Sequence, residues 1–152
     1  MIKKHIPCGF ECTFPQKSAV WDFFNLTDSV WRQYYFMVAD DAVYSDRIRF
    51  DLPKEFSGGY FRELVNISFV SERLVLHVYT KAEEYREIDT YSDFVNSNCE
   101  MVMLLYDFCY FEIYCKNQCL TKKLMHIAEG IAGTIVEEKY EDTDGRTVLY
   151  VG

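Results

Sequence analysis

His77 is the residue best suited to acid–base chemistry, because histidine alone titrates near neutral pH without a large pKa shift. It lies within a predicted strand, residues 73–80, and Glu112 lies between Tyr110 and Tyr114 in another. If the two strands face one cleft, Glu112 would orient the imidazole and a tyrosine would donate a hydrogen bond to a substrate. This pattern predicts a small enzyme or ligand-binding domain with a His77/Glu112 aromatic cleft. The alternative is a structural histidine within a sheet.

Cys115, Cys119 and His126 carry the side chains that zinc prefers, and a Cys-x3-Cys pair has the spacing of a zinc knuckle. However, Cys115 shares a predicted strand face with Phe111, whereas Cys119 and His126 lie seven residues apart on a predicted helix. Nothing in this spacing forces the strand cysteine and the helix pair together. We therefore expect free thiols, no metal and no cofactor. The chain also lacks a nucleophile elbow and a phosphate-binding loop.

The elements that position these residues begin with an alternating stretch at residues 6–14. Ile6, Cys8, Phe10, Cys12 and Phe14 fall on one face. Residues between them are mostly polar or are proline and glycine, which is typical of a half-buried β-strand.

Periodicity predicts the remaining elements. Strands are expected at 31–38, 42–44, 47–50, 73–80, 100–106 and 110–116, with a turn at 39–41. The strand at 100–106 is apolar on both faces, so we expect it to be central in the sheet. Helices are expected at 16–26, after the N-caps Ser57 and Thr90, and at 119–129. A last hairpin is expected at 134–140 and 147–151, around Asp144 and Gly145. Short connections between strands favour an α+β fold: one globular domain over residues 1–152, with a largely antiparallel sheet and three or four packed helices.

The net charge and the distribution of apolar residues argue against several classes of function. The 152 residues carry a formal net charge of −8, which argues against nucleic-acid binding. No apolar run is long enough to cross a membrane, and no secretory leader is visible. We therefore expect a cytoplasmic protein with reduced cysteines and no membrane partner.

Twelve tyrosines accompany this acidic charge. The tracts 83–87 and 137–142 place tyrosine among carboxylates, a composition suited to protein interfaces, although a solvated face is the alternative. Our leading hypothesis is a non-enzymatic protein-binding module for a basic protein partner. Immunity or inhibitor proteins that neutralise toxins share this composition. The oligomeric state is left open by the sequence.

Three segments carry a resemblance to known proteins: residues 91–94 (Tyr-Ser-Asp-Phe), 110–114 (Tyr-Phe-Glu-Ile-Tyr) and 144–147 (Asp-Gly-Arg-Thr). With them, the chain resembles a small uncharacterised bacterial protein family of unknown function. The resemblance implies a bacterial cytosolic protein and implies nothing about site residues.

Overall fold

The structure, a computed structural model, describes residues 6–142. Its strands are β1 (Pro7–Thr13), β2 (Tyr35–Ser45), β3 (Ile48–Phe50), β4 (Glu55–Ser57), β5 (Val70–Tyr79), β6 (Met101–Tyr106), β7 (Tyr110–Cys115) and β8 (Ile135–Tyr140). Its α-helices are α1 (Lys17–Leu26), α2 (Asp28–Trp31), α3 (Gly58–Asn66), α4 (Tyr91–Val95) and α5 (Gln118–Glu129). A 3-10 turn covers Ala82–Glu84.

The strands form one antiparallel sheet in the order β3-β2-β5-β6-β7-β1-β8, and β4 also pairs with β2. This confirms the α+β class and the dominance of the sheet. The five α-helices of residues 6–142 exceed the three or four predicted. One reason is α2, a single turn that ends at Trp31, the residue at which a strand was predicted to start. Trp31 is buried, and its indole Nε1 donates to Thr27 Oγ1 over 2.7 Å.

One face of the sheet is covered by helices, with the main core between them. Phe10, Phe23, Phe24, Trp31, Phe36, Phe61, Phe111, Ile113 and Leu124 belong to this core. The surroundings of Phe24 show how densely this core is packed. The centroid of its ring lies 5.3 Å from that of Phe61 and 5.7 Å from that of Phe111. Packed aromatic rings of this kind supply much of the apolar area that stabilises a fold of this size.

The opposite face, called the second face below, carries a smaller core. Val75, Tyr79, Ile88, Phe94, Cys99, Val102, Leu104 and Tyr114 belong to it, and Cys8 joins them. Ile88, Phe94 and Cys99 come from the chain between β5 and β6, which crosses back over this face. Strand β6 therefore has apolar side chains on both faces, as its sequence predicted.

The turn predicted at residues 39–41 is wrong, because these residues continue β2. A register irregularity between Val38 and Asp40 absorbs the extra residue. Asp40 is accommodated by an ion pair with Arg73 (2.8 Å). The actual turn lies at Asp46 and Arg47, whose φ angles of 51° and 66° suit a tight two-residue hairpin.

Cys8 lies on the face opposite to the one predicted. The register of β1 against β8 shifts between Pro7 and Gly9, so the alternation is interrupted there. Phe10 and Cys12 belong to the main core as expected, whereas Cys8 belongs to the second-face core. A bulge of this kind reverses the direction of one side chain without altering the rest of the strand.

Both predicted helix caps are confirmed. Ser57 Oγ accepts from the Tyr60 N–H (3.3 Å) at the start of α3. Thr90 and Asp93 form a reciprocal capping box, in which aspartate serves where glutamate is more usual. The turn and second strand of the last predicted hairpin lie outside the described residues. Within residues 6–142, none of the helices has the length and apolar character needed to cross a membrane.

Candidate functional site

His77 lies on the second face of the sheet, between Met37 of β2 and Val102 of β6 in register. The residue is 1% exposed, and neither ring nitrogen has a hydrogen-bond partner among the described residues. Buried polar atoms in proteins are nearly always hydrogen-bonded. The unpartnered imidazole is therefore a feature that the fold alone does not explain.

A cleft of about 480 Å³ lies over His77. Residues 85–89 line one wall of the cleft. They belong to the segment 81–89, called the roof segment below, which follows β5 and returns over the second face. Two tyrosine hydroxyls form hydrogen bonds between the roof segment and the sheet. The Tyr85 hydroxyl donates to the Phe36 carbonyl (3.2 Å), and the Tyr79 hydroxyl donates to the Arg86 carbonyl (3.1 Å). The wall is thus held by two specific contacts as well as by burial of Ile88.

The surroundings of the cleft determine the protonation states of His77 and Tyr85. Burial lowers the pKa of His77 to about 4, and the nearby charge of Asp89 only partly opposes this shift. The imidazole is therefore neutral at pH 7, with one N–H donor and one nitrogen acceptor. Burial, with a smaller contribution from the charge of Glu55, raises the pKa of Tyr85 to about 12, so its phenol stays protonated.

The predicted His77–Glu112 pair is not formed. Both residues lie on the second face, but Glu112 aligns across the strands with Val75, two residues from His77. Two strand spacings and two residues of rise place the two Cα atoms about 12 Å apart. The expectation failed because the order of the strands, which sets this distance, cannot be read from local alternation.

Glu112 is instead the centre of a separate network. Its side chain is 1% exposed and accepts from the hydroxyls of Tyr114 (3.1 Å) and Tyr106 (3.4 Å). Lys139 Nζ lies 3.1 Å from the same carboxylate and 3.6 Å from that of Glu11. A buried carboxylate needs such compensation, and these contacts give Glu112 a structural role.

Three glutamates stand side by side across the second face. Glu11 of β1 lies directly opposite Glu112 of β7 and directly opposite Glu137 of β8. We call Glu112, Glu11 and Glu137 the acidic row. Directly opposed side chains have Cβ atoms about 5 Å apart, and like charges at that distance destabilise a sheet.

An apolar side chain lies beside this row. Ile135 of β8 is 66% exposed, and with Tyr110, Glu11 and Glu137 it lines a shallow depression. Burial and a hydrogen bond with Glu11 raise the pKa of Tyr110. An exposed isoleucine therefore lies beside a half-buried tyrosine and two carboxylates on this part of the second face. The tract 137–142 indicated part of this surface; Glu11 was missed, because only strand pairing brings it there.

The candidate zinc ligands do not assemble. Cys115 is buried on the helix-covered face, where its Sγ donates to the Asn117 carbonyl over 3.4 Å. Cys119 and His126 are exposed on α5. Within residues 6–142, no three histidine, cysteine or acidic side chains are grouped in a way that could hold a metal ion. Cys115 and Cys119 carry free thiols.

Comparison with known proteins places the chain in a family. The model of a family described as a protein of unknown function (DUF2691) matches residues 69–150, more than half of the chain. The chain therefore belongs to the DUF2691 family, which confirms the resemblance to an uncharacterised family. It is also similar to the uncharacterised protein YncE of Bacillus subtilis (strain 168), at 37% identity over 65 residues. That match covers 43% of this chain and 42% of YncE. No solved structure matches it.

Proposed function

We propose that this member of the DUF2691 family is a cytoplasmic, non-enzymatic protein-binding module. Its docking surface is formed by Glu11 and Glu137 of the acidic row together with Ile135 and Tyr110, and its partner is a basic protein. The observation that carries the proposal is the register of Glu11, which lies opposite a glutamate on both neighbouring strands. Lys139 offsets the repulsion between Glu11 and Glu112, whereas Glu137 adds a further negative charge opposite Glu11, and a positively charged partner supplies a reason for that charge.

The chemistry of the surface suits a partner with lysine or arginine around an apolar anchor site. Ile135 offers exposed apolar area beside the acidic row, and Glu11 and Glu137 supply negative charge next to it. Charge complementarity speeds encounter, and the buried apolar contact slows dissociation. Immunity and inhibitor proteins that neutralise basic toxins work through this combination, and we place the chain in that functional class.

The enzymatic alternative has weaker support. It required Glu112 to orient His77, and Glu112 is committed to two tyrosine hydroxyls and Lys139. Among the described residues, His77 has no hydrogen-bond partner that would set its tautomer or share its proton. Protein binding by the docking surface requires neither an oriented His77 nor a free Glu112.

The proposal is tested by affinity capture of partners from bacterial lysate at low salt. The double variant Glu11→Gln/Glu137→Gln removes two charges from the docking surface. The matched control, Glu83→Gln/Glu84→Gln, removes the same charge from the roof segment. We expect wild type and control to retain the same basic protein, and the docking-surface variant to lose it. Capture of no basic protein, or equal loss from both variants, would contradict the proposal.

A further inference from the structure

His77 is the polar side chain in this fold that most needs an explanation. Its two ring nitrogens are sealed from solvent and unpartnered within the described residues, which costs folding free energy. Its neighbours in register, Met37 and Val102, show that apolar side chains suit this layer of the sheet. An apolar residue at position 77 would avoid the cost, so the imidazole points to a partner outside the chain.

The rim of the cleft carries both signs of charge. Lys54 and Arg86 contribute cations, while Glu55, Glu87 and Asp89 contribute carboxylates. A ligand with several charges of one sign would be repelled by one of these sets. A ligand that carries one positive and one negative group can be attracted by both.

The interior of the cleft is less polar than its rim. Met37, Tyr85 and Ile88 line it beside the imidazole. Its volume of about 480 Å³ lies within the range of pockets that hold small metabolites. The cleft can therefore accommodate a small ligand whose charged groups stay near the rim.

We propose that the cleft over His77 binds a small zwitterionic ligand of the amino-acid class. The ligand carboxylate accepts a hydrogen bond from the imidazole N–H and lies near Lys54 or Arg86. The ligand ammonium group lies among the rim carboxylates, and its side chain packs on the apolar interior. Within the sheet, strand β6 lies between this site, on β2 and β5, and the acidic row, on β7, β1 and β8. The proposal is thus independent of the protein-binding function.

Access to the imidazole requires movement of the roof segment. The His77 nitrogens are covered, and the cleft opens beside them. The hydrogen bonds of Tyr85 and Tyr79 to backbone carbonyls are the contacts that must adjust. Ligand binding should therefore alter the hydrogen exchange of amides in residues 85–89.

The test is an NMR titration of the full chain, labelled with ¹⁵N and ¹³C at histidine and ¹⁵N at the backbone. Each common amino acid is added at millimolar concentration, with acetate and ethylamine as probes of a single charge. We expect at least one amino acid to shift the His77 ring signals and the amides of residues 85–89, and the single-charge probes to have no such effect.

His77→Phe keeps a ring of similar size and removes both nitrogens, so it should weaken binding by about tenfold or more. His126→Asn is the matched control, because His126 is exposed on α5, and it should bind as wild type does. If His77→Phe does not fold, hydrogen exchange of the wild-type roof segment with and without the amino acid still decides the question. The proposal is overturned if no amino acid shifts His77, if acetate alone is as effective, if His77→Phe binds equally, or if exchange is unchanged.

Discussion

The buried imidazole of His77 should make folding stability depend on pH in a way that one substitution removes. In the folded protein the pKa of His77 is about 4, against 6.5 for an unperturbed histidine. Between these values the unfolded chain binds a proton that the folded chain excludes, so stability falls as the pH falls. From pH 7.5 to pH 5 this one group should remove about 2 kcal/mol, at a limiting slope of about 1.4 kcal/mol per pH unit.

The measurement is urea unfolding of wild type and His77→Leu from pH 7.5 to pH 4.5. Leucine fills a similar volume without unpartnered nitrogens, so at pH 7.5 the variant should be as stable as wild type or more stable. The difference in free energy of unfolding between the two proteins should be constant above about pH 7. Below about pH 7 it should widen in favour of the variant. Carboxylates such as Asp93, whose pKa is lowered by backbone hydrogen bonds, titrate below this range and affect both proteins equally.

His126→Asn serves as the control, because this side chain is exposed on α5; its stability should follow that of wild type across the whole range. A difference between wild type and His77→Leu that stays constant with pH would refute the argument from burial. A large loss of stability in His77→Leu at pH 7.5 would refute it as well, because it would mean that the imidazole makes a favourable contact in the folded protein.

Three further outcomes follow from the structure. Glu137→Gln should raise the free energy of unfolding by a few tenths of a kcal/mol, measured in urea at low salt, because it relieves repulsion with Glu11; a decrease would contradict the repulsion. Gly9→Ala should destabilise the protein by about 1–3 kcal/mol, since a Cβ atom there would collide with the Ile113 carbonyl. A variant whose melting temperature equals that of wild type would count against the β1–β7 register. Cys119 should react with iodoacetamide far faster than Cys99, which is buried and whose pKa burial raises to about 12; peptide mass spectrometry that finds equal labelling would be inconsistent with the structure.

The sequence was sufficient for features that depend on local pattern. The apolar residues on both faces of β6 predicted a central strand, and β6 lies between β5 and β7. Ser57 and Thr90 were recognisable as caps because a cap requires only a side-chain oxygen and the next three residues.

Features that depend on strand order or register were not predictable in the same way. Asp40 and Asp41 have the composition of a turn, but Arg73 and the backbone of Leu52 satisfy their carboxylates within a long strand. The acidic row depends on which residues of β7 and β8 face Glu11, and the separation of His77 from Glu112 depends on β6 lying between their strands. No local pattern encodes these distances, because they are set by the assembly of the whole sheet.

The most direct test of the docking surface is the dissociation constant of the captured basic partner at low and at physiological salt. It should be compared for wild type, Glu11→Gln/Glu137→Gln and Glu83→Gln/Glu84→Gln. We predict that the docking-surface variant binds at least about tenfold more weakly at low salt and depends less on salt, while the roof-segment variant binds like wild type. Equal affinities for the wild type and the docking-surface variant at both salt concentrations would contradict the account.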